Sequence, residues 1–246
     1  MLEHARLADQ AIWGVALVLY AYDAARLLGP HDVLLVEAGR GRLVPTLSDP
    51  PFTAWTRVLA FAPLHLPHRG VFRAAWGRPW RDDRALAATL DSLGRLRASL
   101  GPVRITAALA TLLLFVVGPA LTLALGPNAA VLYTAAGLYP TALAAVGALW
   151  VRRRRLGLAA ARCALLSAEV LVCPAFLPNL VRKLTEAPPL EADAVQLVRA
   201  TADTATAADL VAGVQRRTRE MLETDDADPT AQSQLRAYLA ALGEAR

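Results

Sequence analysis

Charged and apolar positions separate into blocks along this chain. From Ile105 to Val151, 47 residues carry no Asp, Glu, Lys or Arg. Arg104 stands before this block, and Arg152, Arg153, Arg154 and Arg155 follow it. A bilayer core about 30 Å thick takes roughly 20 apolar helical residues, at about 1.5 Å each. The block holds two such spans, parted by the turn signal Gly126-Pro127-Asn128. It predicts a transmembrane hairpin whose two ends are held on one side by arginine. An earlier apolar segment, residues 7–28, is uncharged over 10–22 and predicts an N-terminal span ended by Gly29-Pro30. Asp23 and Arg26 lie three apart near its end, where a helix would bring them together as an ion pair at the membrane boundary.

The period then changes. Val33–Val36 and Leu43–Val44 flank Gly39-Arg40-Gly41 and read as a β-hairpin, while Val58–Phe61 and Val71–Trp76 supply two more short strands. Pro45, Pro50, Pro51, Pro63 and Pro67 exclude a long regular sheet, so residues 29–81 are expected to form a small β-rich module. Asp82 and Asp83 suit the positive end of a following helix. Leu86, Leu90, Leu93, Leu96 and Leu100 recur at spacings of three and four, predicting an amphipathic helix over 82–101. Gly101-Pro102 is expected to end it and turn the chain into the hairpin.

Beyond the arginines, residues 156–180 are apolar but carry Arg162, Glu169, Pro174 and Pro178. Two structures fit: a kinked fourth span, or a re-entrant element whose broken backbone is covered by protein or water. Residues 182–246 have soluble character, with helices expected at about 190–202 and 207–223. A third starts with Asp228 as cap and Pro229 as first helical residue. Leu235, Tyr238, Leu239 and Leu242 form one face of it. That face is expected to dock on a partner or on the membrane module, since a three-helix bundle of about sixty residues is marginal alone. The predicted class is a mainly α membrane protein. It has three or four transmembrane helices, a small β-rich membrane-proximal insertion and a C-terminal helical bundle.

Composition supports the membrane class and sets an orientation. Hydrophobic residues make up 55% and charged residues 19%, against roughly 45–50% and about 25% in soluble domains. The net charge is +5 and all basic residues but Lys183 are arginine. Arginines outnumber acids twelve to six between Arg26 and Arg104. The arginine-rich loops are therefore expected on the cytoplasmic side of a cell (inner) membrane, with the N-terminus outside. Whether residues 156–180 cross decides the side of the C-terminus. No base-stacking or groove-reading pattern accompanies the charge, so nucleic acid is not an expected partner. Trp55, Trp76 and Trp80 interleave with Arg57, Arg73, Arg78 and Arg81. With Arg152–Arg155 they suit a headgroup region, although a small ordinary core with a few exposed Trp accounts for them equally well. The opening MLEHARLADQ lacks a signal peptide's basic region and cleavage site, so the first segment reads as a retained anchor.

Candidate chemistry is sparse. Cys163 and Cys173 exclude a disulfide framework and have no nearby His or Lys to activate a thiolate. His65-Leu66-Pro67-His68 is a weak metal candidate, because helical zinc pairs usually stand four apart beside a carboxylate. A surface loop with incidental histidines is the simpler reading. Glu169, with Arg162, is the sharper intramembrane candidate, since inserting a charge costs roughly 3 kcal/mol. It could relay a proton or cation, or pair with a base on another element. Otherwise it is a protonated acid bonded to a carbonyl freed by Pro174 or to Ser167. No Walker, GxSxG or GxGxxG motif is present, and no cofactor is expected. The pattern points first to a non-catalytic membrane accessory or scaffold subunit, bound to the bilayer and to a protein partner or a second copy. Two other classes remain open. One is an oligomeric transport or channel component using Glu169. The other is a membrane-embedded enzyme acting on a lipid-linked substrate through His65, His68 or Glu169.

Overall fold

The computed structural model describes residues 2–46, 53–54, 57–61, 66–77, 83–186, 190–223 and 229–244. The chain is mostly helical with two three-stranded sheets, and it divides into two compact units. The first comprises residues 1–25, 61–70 and 94–185, and the second residues 26–60, 71–93 and 186–246.

The first unit begins with α1 (Leu2–Ala24) and continues with the later part of α2 (Asp83–Leu112). A π-helical turn, Leu113–Val117, leads into α3 (Gly118–Leu125). Gly126, at φ +82°, reverses the chain into α4 (Pro127–Arg152), as the turn signal predicts. Then come α5 (Ala160–Val172), a 3-10 stretch Pro174–Asn179 and α6 (Leu180–Glu186). Among the described residues, two stretches are long and apolar enough to cross a membrane, Arg84–Leu125 and Pro127–Arg152.

Two expectations need correction here. The helix does not stop at Gly101-Pro102 but runs through both. Its buried positions Leu93, Leu100, Val103, Ala107, Ala110 and Leu114 keep the three-and-four spacing on both sides of the proline. Pro102 has no N–H for the carbonyl of Ala98, four residues back. Arg152 supplies the missing donor: its Nη1 reaches the carbonyl oxygens of Ala98 at 3.2 Å and Ser99 at 3.3 Å. The N-terminal helix, in turn, ends at Ala24, and Ala25–Leu28 forms strand β1. Residues 156–180, expected as a kinked span or a re-entrant element, are broken after α5. α5 has 13 residues, about 20 Å, less than a bilayer core. It ends at Cys173 because the residue before a proline is pushed out of the helical region.

In the second unit β2 (Asp32–Glu37) pairs antiparallel with β3 (Leu43–Pro45), giving the predicted hairpin around a 3-10 turn at Gly39–Gly41. β2 also pairs antiparallel with β6 (Val71–Ala75), with Leu35 opposite Phe72. β4 (Thr53–Ala54) and β5 (Arg57–Phe61) form a second antiparallel ladder in the sheet that includes β1. The C-terminal helices α7 (Ala194–Thr201), α8 (Thr204–Glu223) and α9 (Pro229–Glu244) belong to the same unit as these strands. Leu190 donates its N–H to the Arg73 carbonyl at 2.8 Å, and the Leu43 N–H reaches Thr201 Oγ1 at 3.3 Å. The helices are therefore not a free bundle. Sheet and helices share one core, which a sixty-residue bundle alone would lack.

Candidate functional site

Among the described residues, the first unit gathers buried and half-buried polar side chains where α1 meets the broken segment after α5. Tyr20 and Asp23 are three apart in the last turns of α1 and so share a face. From the broken segment come Asn179, Arg182 and Lys183, and α5 contributes Glu169. Lys183 Nζ lies 3.1 Å from Asp23 Oδ1 and also bonds Glu169 Oε1, while the Phe176 ring centre is 4.9 Å away. The Arg182 guanidinium carbon stands 5.1 Å from the Tyr20 ring centre, and the residue is 1% exposed. Asn179 Nδ2 donates to the Tyr20 carbonyl at 3.3 Å. Two carboxylates and two cations cancel in formal charge. In a low-dielectric setting such closure is what makes buried ions tolerable, and removing one member strands the others.

Around it α1 is keyed into the π turn and α3. Trp13 Nε1 donates to Thr122 Oγ1 at 2.8 Å, and Thr122 Oγ1 donates to the Gly118 carbonyl at 2.9 Å. The Trp13 ring lies directly on Gly118, where a Cβ would run into it. Tyr20 and Phe115 rings are 5.2 Å apart. Gly118, having no Cβ, thus provides the seat that the Trp13 ring fills.

Glu169, singled out from the sequence, does sit in this cluster, but its partner is Lys183, the chain's one lysine. Ser167 is engaged elsewhere, donating to the Cys163 carbonyl at 2.8 Å and accepting from Trp150 at 3.1 Å. Arg162 is exposed. Asp23 and Arg26, expected as a pair, have long-range partners, Arg26 bonding Glu186 at 2.6 Å. His65 lies outside the described residues and His68 is exposed in a turn. Among the described residues, no three His, Cys, Asp or Glu side chains converge as metal ligands.

Of the tryptophans assigned to a membrane interface, Trp55 and Trp80 fall outside the described residues. Trp76 takes the core alternative and not the interface one: it is 1% exposed in the core of the second unit. Its ring stacks between His31 at 4.7 Å and Tyr238 at 6.1 Å. Arg73 beside it is held by Asp32 at 2.5 Å. The α9 stripe is likewise spent inside the chain. Leu235, Tyr238 and Leu242 are buried and Leu239 is half-buried, so this face is not presented to a partner. Tyr238 donates its hydroxyl to Asp193, with oxygens at 3.1 and 3.2 Å, and Asp193 caps α7 by accepting from the Val195 N–H at 2.8 Å. Burial, reinforced by the Asp193 charge, pushes the Tyr238 hydroxyl far above its ordinary range. Burial lowers the His31 imidazole despite the opposing pull of Asp32. A cleft of about 500 Å³ opens between α7 and α8, lined by Ala202, Ala207, Ala208, Val211 and Ala212, with Arg199 and Gln215 at its polar margin.

No protein-family model, curated protein or solved structure matches this chain.

Proposed function

We propose that the chain is an integral membrane protein acting as a non-catalytic accessory or scaffold subunit. The observation that carries the reading is a belt of large apolar side chains left exposed on the first unit. It includes Leu17 and Val18 on α1, Leu112, Val116 and Leu123 on α2–α3, and Leu132, Leu143 and Val151 on α4. Water-facing surfaces rarely carry a patch of this extent, whereas lipid tails accept it without cost. α1, the α2–α3 rod and α4 cross the bilayer, and α5 with the following 3-10 stretch re-enters. Leu177, Pro178 and Asn179 are buried, which supports a re-entrant reading because broken backbone at membrane depth needs protein cover. Three crossings place the arginine turn, the strand module and the C-terminus together in the cytoplasm, as the arginine bias favours. The α7–α8 cleft, rather than α9, then receives a helix of the partner.

Extraction of native membranes with alkaline carbonate tests insertion, and release into the supernatant would sink the membrane reading. Purification by a C-terminal tag in mild detergent tests the scaffold. A defined second protein at fixed stoichiometry is expected, and a homo-oligomer without one overturns that role. One observation favours a second reading, transport: the Asp23–Lys183–Glu169 cluster sits at a broken helix, the usual architecture of intramembrane ion sites. Reconstituted vesicles would then show a cation or proton flux that Glu169→Gln alters, and no flux removes this alternative.

A further inference from the structure

We propose that the arginine turn closing α4 is a binding surface for anionic phospholipid headgroups, an inference that rests on the membrane reading above. From Ser92 to Ala168 the chain has eight arginines and not one acid. The local backbone decides where those at the end of α4 point. Gly157, at φ +66°, donates its N–H to the Arg154 carbonyl at 3.2 Å, and Leu158 donates to the Arg153 carbonyl at 3.0 Å. This glycine closure holds Arg153, Arg154 and Arg155 at helical spacing, about 100° apart, so they fan around the axis instead of forming a row.

Each takes a different environment. Arg152 turns inward to the carbonyls freed near Pro102. Arg153 lies 5.9 Å from the Trp150 ring centre. Arg154 and Arg155 face outward and are exposed, as is Arg162 on the next helix. Among the described residues no carboxylate pairs with Arg153, Arg154, Arg155 or Arg162. Directly before them Val151 is 85% exposed. The surface therefore changes from lipid-like to cationic within one residue, as it does where hydrocarbon meets headgroups.

Helix-end electrostatics alone would account for one or two cations at the C-terminus of α4. It does not account for Arg162, in the first turn of α5, where the helix dipole disfavours a positive charge. A phosphate held between the turn and Arg162 resolves that conflict, and the guanidinium fork matches phosphate oxygens. Continuity with the apolar belt favours a lipid over a soluble anion.

The full-length protein and its R154Q/R155Q/R162Q variant are purified in a neutral mild detergent. Thermal unfolding is followed as phosphatidylglycerol or phosphatidylcholine is added, with glycerol 3-phosphate as the soluble control. Phosphatidylglycerol alone should raise the wild-type Tm. An arginine near an anionic surface contributes about five-fold in affinity, so the variant should need at least about ten-fold more of it for the same shift. Equal response to phosphatidylcholine, a shift with glycerol 3-phosphate, or an undiminished response of the variant overturns the site. If the triple variant does not fold, Arg155→Gln carries the same comparison with a smaller shift. Carbonate extraction in parallel keeps the two readings apart. A chain stripped from the membrane refutes insertion, whereas a retained chain indifferent to phosphatidylglycerol refutes only the headgroup surface.

Discussion

Helix α4 in the first unit and strand β2 in the second are both rich in apolar residues, yet they place them in opposite ways. On α4 the positions turned inward are mostly small, Ala130, Thr134, Ala142 and Ala145, while Leu132 is 68% exposed and Leu143 faces out with it. On β2 the large residues Val33, Leu34, Leu35 and Val36 are all buried, Leu35 completely. Small-in and large-out is the arrangement of helices that pack in lipid, where close backbone approach holds the elements together and hydrophobic burial does not. Large-in is the arrangement water enforces. Residue type alone is therefore a poor guide to the core of this chain: α4 turns mostly small residues inward beside Leu138 and Leu149, whereas β2 turns large ones in along its whole length.

The largest test of this contrast is a matched truncation. Phe72→Ala, in the sheet core, should cost the second unit about 3–5 kcal/mol. Leu132→Ala should change the first unit by less than about 0.5 kcal/mol. Denaturation followed separately for each unit would check both, and a comparable loss at Leu132 would mean that its side chain is covered in the native protein. Next in size is the half-buried charge cluster. Lys183→Ala removes the cation that bonds both Asp23 and Glu169 and should cost about 2 kcal/mol, read as a lowered Tm in detergent. Glu169→Gln, which leaves Lys183 with Asp23, should cost clearly less. Equal losses would show that the three groups do not act as a cluster.

Smaller effects belong to the second unit. Tyr238→Phe removes the donor to Asp193 and should cost about 1–3 kcal/mol, measurable by urea titration. The smallest is a pH effect at His31, whose folded pKa is depressed by burial. As pH falls through about 6.5 the unfolded chain takes up the proton first. Stability is thus full above that value and declines until the lower folded pKa is passed. His31→Gln should flatten this slope between pH 8 and 5, and an unchanged slope would assign it to other groups.

Local signals in the sequence carried well. The Gly126-Pro127 reversal, the hairpin around Gly39–Gly41 and the start of α9 at Pro229 each depend on residues within a few positions of one another. Gly101-Pro102 misled for the same reason, since a local breaker was weighed without the stripe that continues at Val103, Ala107, Ala110 and Leu114. Extending the spacing count past the proline would have revealed the long helix. The stripe on α9 announced burial but not its counterpart, because Trp76 and Asp193 come from distant parts of the chain. Glu169 was legible as an expensive charge, yet Asp23 and Lys183 lie about as far apart in sequence as the fold allows. The only available hint was that one lysine stands among so many arginines. A compact ammonium suits the gap between two carboxylates better than a planar fork does.

The unbroken passage through Pro102 has a mechanical consequence. From Asp83 to Leu125 the α2–α3 rod measures about 64 Å at helical rise, roughly twice a bilayer core. A proline in a helix interior is the usual place for a kink, and Arg152 closes that place by bonding the carbonyls of Ala98 and Ser99. The side chain works as a splint, so that a load on the turns before Pro102 passes to those after it instead of being lost in a bend.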